Sequence, residues 1–241
     1  MTHPFLILET GQPGASMRRH RGFPHWIRVA AGLRADEAVV VNVEAGAPLP
    51  TREGFVGAIV TGSGAMVTDR ADWSERSAAW LRDAAHAGMP LLGICYGHHL
   101  LAHALGGEVG DHPQGREMGT VDLQLHPPAE HDPLFAGLPS PFQAQTTHLQ
   151  SVLRAPEGAT VLARSVHDAC QAFRWGDRAW GVQFHPEFSA THMRGYVQAR
   201  HVALQREGHC PKTIAGNVAA TPHARRMLSR FVHHARGLAR S

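Results

Sequence analysis

Short apolar runs alternate with helix-like segments through the first 105 residues, and this order restricts the fold more than any other feature. Each run is five or six residues long, which is the length of a buried strand. The runs are Phe5–Glu9, Ala38–Val43, Val56–Thr61 and Pro90–Ile94. Because strands that alternate with helices over short connections form βαβ units, the sequence predicts an α/β fold with a mainly parallel central sheet and helices on both faces.

Helices are predicted in the gaps between these strands. The first covers Pro24–Ala31, with Gly32 placed to end it. The second begins at Asp72, because Glu75 three residues later completes a capping-box pattern. Another covers Leu100–Leu105 and ends at the two glycines that follow.

The pattern changes after Gly119. Short strand-like runs follow with few helical segments between them, which predicts additional antiparallel or mixed strands in the second half; they are TVDLQLH, FQAQT, TVLAR, ACQAFRW and RAWGVQF. Near the end, Met227, Leu228, Phe231 and Val232 recur at helical spacing and predict a helix that docks one apolar stripe on the body. We find no linker or repeat that marks a boundary, so residues 1–241 are predicted to form a single domain with C-terminal helices packed on it.

Composition excludes several classes of protein. Hydrophobic residues make up 43% of the chain and charged residues 18%, as in ordinary globular proteins, and no apolar stretch has the length of a signal peptide or a membrane span. Three scattered cysteines do not form a disulfide scaffold. A net charge of +3 gives little support to a nucleic-acid partner. We therefore expect a soluble, cytoplasmic protein without nucleic-acid or membrane partners.

Cys95 lies between the strand that ends at Ile94 and the helix that begins near Tyr96. Ligands of open α/β sheets bind at the carboxyl ends of the strands, and small residues at Gly93 and Gly97 permit the tight turn of a nucleophile elbow. A helix N-terminus also favours thiolate over thiol. The alternative is a buried, inert cysteine, which is a common fate of a free thiol.

Two further segments supply what a thiolate hydrolase needs. In the sequence GVQFHPE, His185 and Glu187 are two residues apart in a segment that Pro186 keeps extended, so both side chains face one side and the carboxylate can orient the imidazole. The TGSG turn after the third strand exposes backbone N–H groups around Gly62–Gly64. Together with the amide of Tyr96, these are candidate donors to an oxyanion.

With these segments in place, the chain resembles the class I, triad-type glutamine amidotransferases. That family's elbow has the pattern G-x-C-x-G-x-Q, and Gly93–His99 stands in its place. Its closing motif appears as Gln183–Glu187, and Thr61–Gly64 replaces its oxyanion turn. The segments GREMGTVDLQL and THLQSV occur in the order found in stand-alone members similar to the glutaminase part of GMP synthetase.

The resemblance implies a flavodoxin-like, three-layer domain with a Cys95–His185–Glu187 triad. It also implies an oxyanion hole from the amides of Ser63 and Tyr96, and substrate contacts from Gly62, Gly64, His99, Thr147 and His148. The implied reaction releases ammonia from the side chain of glutamine through a thioester and requires no metal or organic cofactor. No ammonia-using half or P-loop motif occurs in the chain, so the amidotransferase interpretation requires a separate synthetase chain.

Three features depart from the family pattern. His99 stands where the motif has glutamine, Gly64 replaces a proline, and Leu149 and Gln150 replace a Gly-Asp pair. A neutral imidazole cannot present the donor and acceptor of an amide together, so a γ-glutamyl peptidase or hydrolase with the same triad is an alternative, as is a silent binding protein. His99 and His103 also have a spacing that can bind zinc, although packing or substrate contact is the preferred interpretation.

Overall fold

A computed structural model describes residues 3–240, which form an α/β fold around a nine-stranded sheet. The strands are β1 (Phe5–Glu9), β2 (Ala38–Asn42), β3 (Ala58–Val60), β4 (Leu91–Ile94), β5 (Glu108–Asp111), β6 (Glu117–Leu125), β7 (Phe142–His148), β8 (Gln150–Arg154), β9 (Ala159–Arg164), β10 (Ala172–Trp175) and β11 (Ala179–Val182). The helices are α1 (Phe23–Ala31), α2 (Asp72–His86), α3 (Tyr96–Ala104), α4 (Ala190–Ala199), α5 (His201–Arg206), α6 (Pro211–Gly216) and α7 (Pro222–Leu238). The predicted domain 1–241 also includes residues 1, 2 and 241, which lie outside the described residues.

The large sheet has the order β2-β1-β3-β4-β11-β10-β9-β6-β7. The neighbouring pairs from β2 to β11 are parallel, and those from β11 to β7 are antiparallel. Strands β5 and β8 form a small antiparallel sheet of their own. The predicted fold class is confirmed, because the parallel half follows the flavodoxin-like order and the antiparallel strands come from the second half of the chain.

Alternation along β1 explains the three layers. Phe5 and Ile7 point to one face, where they pack in a core with α1 and α7. Leu6 and Leu8 point to the other face and pack in a second core with α2 and α3. All four side chains are at most 1% exposed, which requires helices on both faces of the strand.

Most local predictions agree with the structure, and one is wrong. Strand β1 has the predicted bounds, Gly32 ends α1 in a left-handed conformation with φ 72°, and α7 buries the predicted apolar stripe. The capping box at Asp72 does not form: Ala71 is the N-cap, without a side-chain cap, and Asp72 is the first helical residue. The Glu75 carboxylate instead accepts a hydrogen bond from His103 at 3.0 Å. A tertiary contact therefore replaces the capping hydrogen bond that the local pattern predicts.

No helix within residues 3–240 is long and apolar enough to cross a membrane.

Candidate active site

Cys95 occupies the sharp corner between β4 and α3. Its φ of 51° and ψ of −100° are unusual for a residue with a side chain, and such backbone strain costs on the order of 1–3 kcal/mol. A Cβ atom added to Gly93 would lie 2.2 Å from the carbonyl oxygen of Gly97, and one on Gly97 would lie 2.6 Å from that of Val60. The corner therefore requires both flanking glycines, as the sequence predicts for an elbow.

Sheet pairing brings His185 to this corner. Strand β11 lies beside β4 in parallel, with Val182 opposite Ile94, and the Cys95 amide donates to the carbonyl oxygen of Val182 at 2.8 Å. The segment after β11 continues to Glu187, whose Oε1 accepts a 2.8 Å hydrogen bond from Nδ1 of His185. The structure thus brings the three predicted triad residues, from two segments, to one edge of the sheet.

The environment of His185 favours its charged form. The ring is 3% exposed and stacks on Phe188, with 4.1 Å between ring centroids. Burial lowers the pKa of His185, but the Glu187 carboxylate and the charge and hydrogen bonding of Cys95 outweigh burial and raise it to about 10. Among residues 3–240, Nε2 makes no hydrogen bond of ordinary geometry, so this nitrogen stays available for proton transfer. The arrangement can hold a thiolate next to an imidazolium.

The turn after β3 lies against both groups. A Cβ on Gly62 would come 3.0 Å from Cε1 of His185 and 3.8 Å from Cβ of Cys95. Ser63 and Gly64 line a cavity together with Cys95 and Tyr96. Because Tyr96 is the first residue of α3, its amide is not used within the helix, and the helix N-terminus favours negative charge there. The predicted oxyanion donors therefore share one cavity with the cysteine.

His99 lies on the cavity wall and is 5% exposed. Its Nε2 donates to the side-chain oxygen of Gln183 at 2.6 Å, and burial lowers the pKa of His99 to about 3. A neutral ring with one N–H, already used on Gln183, connects the elbow helix to the segment that carries His185. The departure from the family glutamine is thus accommodated by a contact inside the protein.

Thr147 and His148 also line the cavity. The carbonyl oxygen of Thr147 lies 4.0 Å from the sulfur of Cys95. His148 uses both ring nitrogens within the protein: Nδ1 donates to the carbonyl oxygen of Gln150 and Nε2 to Glu117, each at 2.9 Å.

Glu117 was not identified from the sequence. Its carboxylate also receives hydrogen bonds from Ser165 and Gln171, both at 2.6 Å. Burial raises the pKa of Glu117, but the hydrogen bond and charge of His148 outweigh it, and the net shift is downward. The hydrogen-bonded pair is buried behind the cavity wall. Its members are 31 positions apart in the sequence, and no local pattern predicts the contact.

Two arginines at the cavity were also missed. Arg116 comes from the loop between β5 and β6, and Arg200 from the junction of α4 and α5. Arg116 belongs to the GREMG segment that the family resemblance singled out, so that segment was the available signal. Arg200 lies in a stretch whose composition is typical of an exposed helix.

The spacing of His99 and His103 does not create a metal site. Their side chains have separate protein partners, Gln183 and Glu75. Over residues 3–240, no group of three or more His, Cys, Asp or Glu side chains is placed to hold a metal ion.

Sequence comparisons with known proteins identify a family. Residues 33–203 match the family model described as glutamine amidotransferase class-I. The chain is 40% identical over 119 residues to a GMP synthase of Aeropyrum pernix, which covers 49% of this chain and 22% of that protein. It is 34% identical over 160 residues to one subunit of the glutamine-hydrolysing GMP synthase of Ignicoccus hospitalis, which covers 64% of this chain and 79% of that relative.

Solved structures agree at the level of the fold. A glutamine amidotransferase of Thermotoga maritima superposes with a TM-score of 0.76 at 17% identity, covering 98% of this chain and 99% of that one. A glutamine amidotransferase of Methylobacillus flagellatus gives 0.73 at 23% identity, with 97% and 95% covered. The chain spans only about a fifth of the first full-length GMP synthases that it matches, which are 22% and 20% covered. Since the family model matches more than half of the chain and the fold and elbow agree with it, this protein belongs to the class-I glutamine amidotransferase family.

Proposed function

We propose that the chain hydrolyses the side-chain amide of glutamine through a thioester on Cys95. The observation that carries the proposal is the 2.8 Å bond between His185 and Glu187, with the pKa of His185 raised to about 10 beside the elbow cysteine. This pair supplies a thiolate and a proton donor in one place. The family membership makes glutamine the first substrate to test.

The reaction follows from the positions of these groups. The Cys95 thiolate attacks the amide carbon, and the resulting oxyanion accepts hydrogen bonds from the amides of Ser63 and Tyr96, each worth roughly 3 kcal/mol in such sites. The C–N bond then breaks while His185 gives its proton to the leaving nitrogen, which departs as ammonia. What remains is a γ-glutamyl thioester and a neutral imidazole.

Hydrolysis of the thioester completes the cycle. The neutral imidazole of His185 takes a proton from water, and the resulting hydroxide attacks the thioester carbon. Collapse of the tetrahedral intermediate breaks the C–S bond and releases glutamate, which restores the thiolate and the imidazolium. Glu187 keeps the imidazole oriented in both steps. The net reaction converts glutamine and water to glutamate and ammonia.

The ammonia would pass to a separate synthetase chain. The Ignicoccus relative is itself named as one subunit of an enzyme, and the full-length GMP synthase relatives are about five times as long as the region they share with this chain. These relationships make a synthetase chain the first candidate partner. A complex should form when the two chains are mixed, and addition of the synthetase substrates should increase glutamate release.

His99 supports a second candidate, a γ-glutamyl peptidase or hydrolase with the same triad. Its only N–H donates to Gln183, so it offers a substrate amide nothing equivalent to the donor and acceptor of a glutamine side chain. Glutamate release from free glutamine indicates a glutaminase, and release from a γ-glutamyl dipeptide only indicates a γ-glutamyl peptidase or hydrolase. Release from neither indicates a silent protein.

The test of the triad uses matched cysteine variants. Cys95→Ala should abolish glutamate release, whereas Cys210→Ala, at an exposed cysteine, should leave it unchanged. Mass spectrometry of the wild-type chain mixed with substrate should show a γ-glutamyl adduct on Cys95. Full turnover by Cys95→Ala would refute the mechanism.

A further inference from the structure

The cavity that holds Cys95 carries an unbalanced positive charge on one wall. Arg116 and Arg200 both line it. Glu207 pairs with Arg116 through two hydrogen bonds, Nε to Oε2 at 2.8 Å and Nη2 to Oε1 at 3.0 Å. The Arg116 side chain is 9% exposed, so this bidentate pair is held in one geometry. Glu207 is therefore already neutralised.

Arg200 is the cation that remains. Its guanidinium makes no hydrogen bond or ion pair with any side chain within residues 3–240, although the residue is half-buried. Burial and the neighbouring charge of Arg116 lower the pKa of Arg200, but a guanidinium stays charged at physiological pH. Five guanidinium N–H donors that have no acceptor among the described residues, beside a second cation, form a site that favours an anion.

We propose that Arg200 binds the α-carboxylate of the substrate and so selects compounds that carry a free γ-glutamyl group. The inference rests on the proposed amide hydrolysis at Cys95. In glutamine, the α-carboxylate carbon lies four bonds from the carbon that the thiolate attacks, a separation of about 5 Å when extended. Cys95 and Arg200 line the same cavity, and a planar guanidinium matches a carboxylate in geometry as well as charge.

A different role for Arg200 would be to stabilise the Cys95 thiolate, since the charge of Cys95 acts on Arg200. The two roles predict different measurements. A carboxylate-binding residue changes KM for substrates that have the carboxylate. A thiolate-stabilising residue changes the reactivity of Cys95 toward a small neutral reagent such as iodoacetamide, with or without substrate.

The experiment compares L-glutamine with L-glutaminamide, in which the α-carboxylate is replaced by an uncharged amide. Arg200→Met should raise KM for glutamine roughly 10- to 100-fold, with kcat changed less than about threefold, because one charge-assisted contact is lost. For glutaminamide, the wild-type KM should already be high, and Arg200→Met should not raise it further. Arg200→Lys should recover part of the affinity. Arg206→Met, at an exposed arginine on α5, is the matched control and should behave as wild type.

Several outcomes would overturn the assignment. These are an unchanged KM for glutamine, an equal loss for glutamine and glutaminamide, or slower alkylation of Cys95 by iodoacetamide. If the wild-type chain hydrolyses neither compound, the proposed function fails, and the Arg200 assignment is tested by calorimetry. In a Cys95→Ala background, glutamine should then bind more tightly than glutaminamide only while Arg200 is present. Absence of that difference also refutes it.

Discussion

Replacement of Glu187 by glutamine tests the charge on which the proposed chemistry depends. In the native site, the pKa of His185 is raised from 6.5 to about 10, which corresponds to about 5 kcal/mol in favour of the imidazolium. The amide of Glu187→Gln keeps the shape and the possibility of a hydrogen bond but removes the charge. Burial, the largest single influence on the ring, then acts against the proton with only Cys95 opposing it, so we expect the pKa of His185 to fall well below its wild-type value.

Alkylation of Cys95 by iodoacetamide reports this change. Because the imidazolium of His185 is retained up to about pH 10, its favourable charge beside the sulfur should assist alkylation throughout pH 6 to 9 in the wild type. An unassisted cysteine thiol, with a pKa of about 8.5, is about 0.3% thiolate at pH 6. The Glu187→Gln rate at pH 6 should therefore fall on the order of 100-fold and recover as the pH rises toward 9.

The assay needs a background in which only Cys95 reacts. Hydrogen bonds from Thr213 lower the pKa of the exposed Cys210, so both proteins should carry Cys210→Ser. Burial raises the pKa of Cys170 to about 12, and this thiol can stay. Glu157→Gln, at an exposed carboxylate, is the control for loss of one negative charge. Alkylation of Glu187→Gln at pH 6 as fast as that of wild type would refute the ion-pair argument.

Three further predictions concern the same edge of the sheet. Gly62→Ala places a Cβ atom 3.0 Å from Cε1 of His185 and should lower kcat on the order of 10-fold. Gly14→Ala, with open space around it, is the control and should leave kcat unchanged. Equal kcat values for the two variants would contradict this prediction. Glu117→Gln breaks the buried pair with His148 and should lower the free energy of unfolding by about 3–5 kcal/mol. The measurement is a fall in Tm of about 10 °C relative to Glu157→Gln, and an unchanged Tm would refute the prediction. The raised pKa of His185 contributes stability that is fully present below pH 6.5 and is lost as the pH approaches about 10. The difference in unfolding free energy between wild type and Glu187→Gln, measured by urea titration, should therefore shrink over that interval. A constant difference would contradict the pairing.

Local patterns were sufficient for the elements that carry the site. Strand β1, the end of α1 at Gly32 and the buried stripe of α7 follow from apolar spacing and turn residues, which depend on near neighbours in the chain. The elbow at Cys95 was also visible, since a strand, two glycines and a helix adjoin it. These features could be predicted because each is specified within about ten residues.

Long-range contacts could not be predicted in the same way. The capping box at Asp72 failed because His103 on a different helix takes the Glu75 carboxylate. Arg200 shares a wall with Arg116 through the position of the helices after β11, which no periodicity encodes. The topology of the whole sheet determines which strands are neighbours and which distant charges face a cavity.

The parallel pairing of β4 with β11 also has a consequence for synthesis of the chain. Cys95 leaves the ribosome ninety residues before His185, an interval of about 5 to 20 seconds. During that time the sulfur has no base beside it and behaves as an ordinary thiol. On the proposed mechanism, enhanced reactivity would begin only when β11 inserts between β4 and β10. The first appearance of a fast-alkylating thiol would then time the completion of the sheet in a refolding or translation experiment.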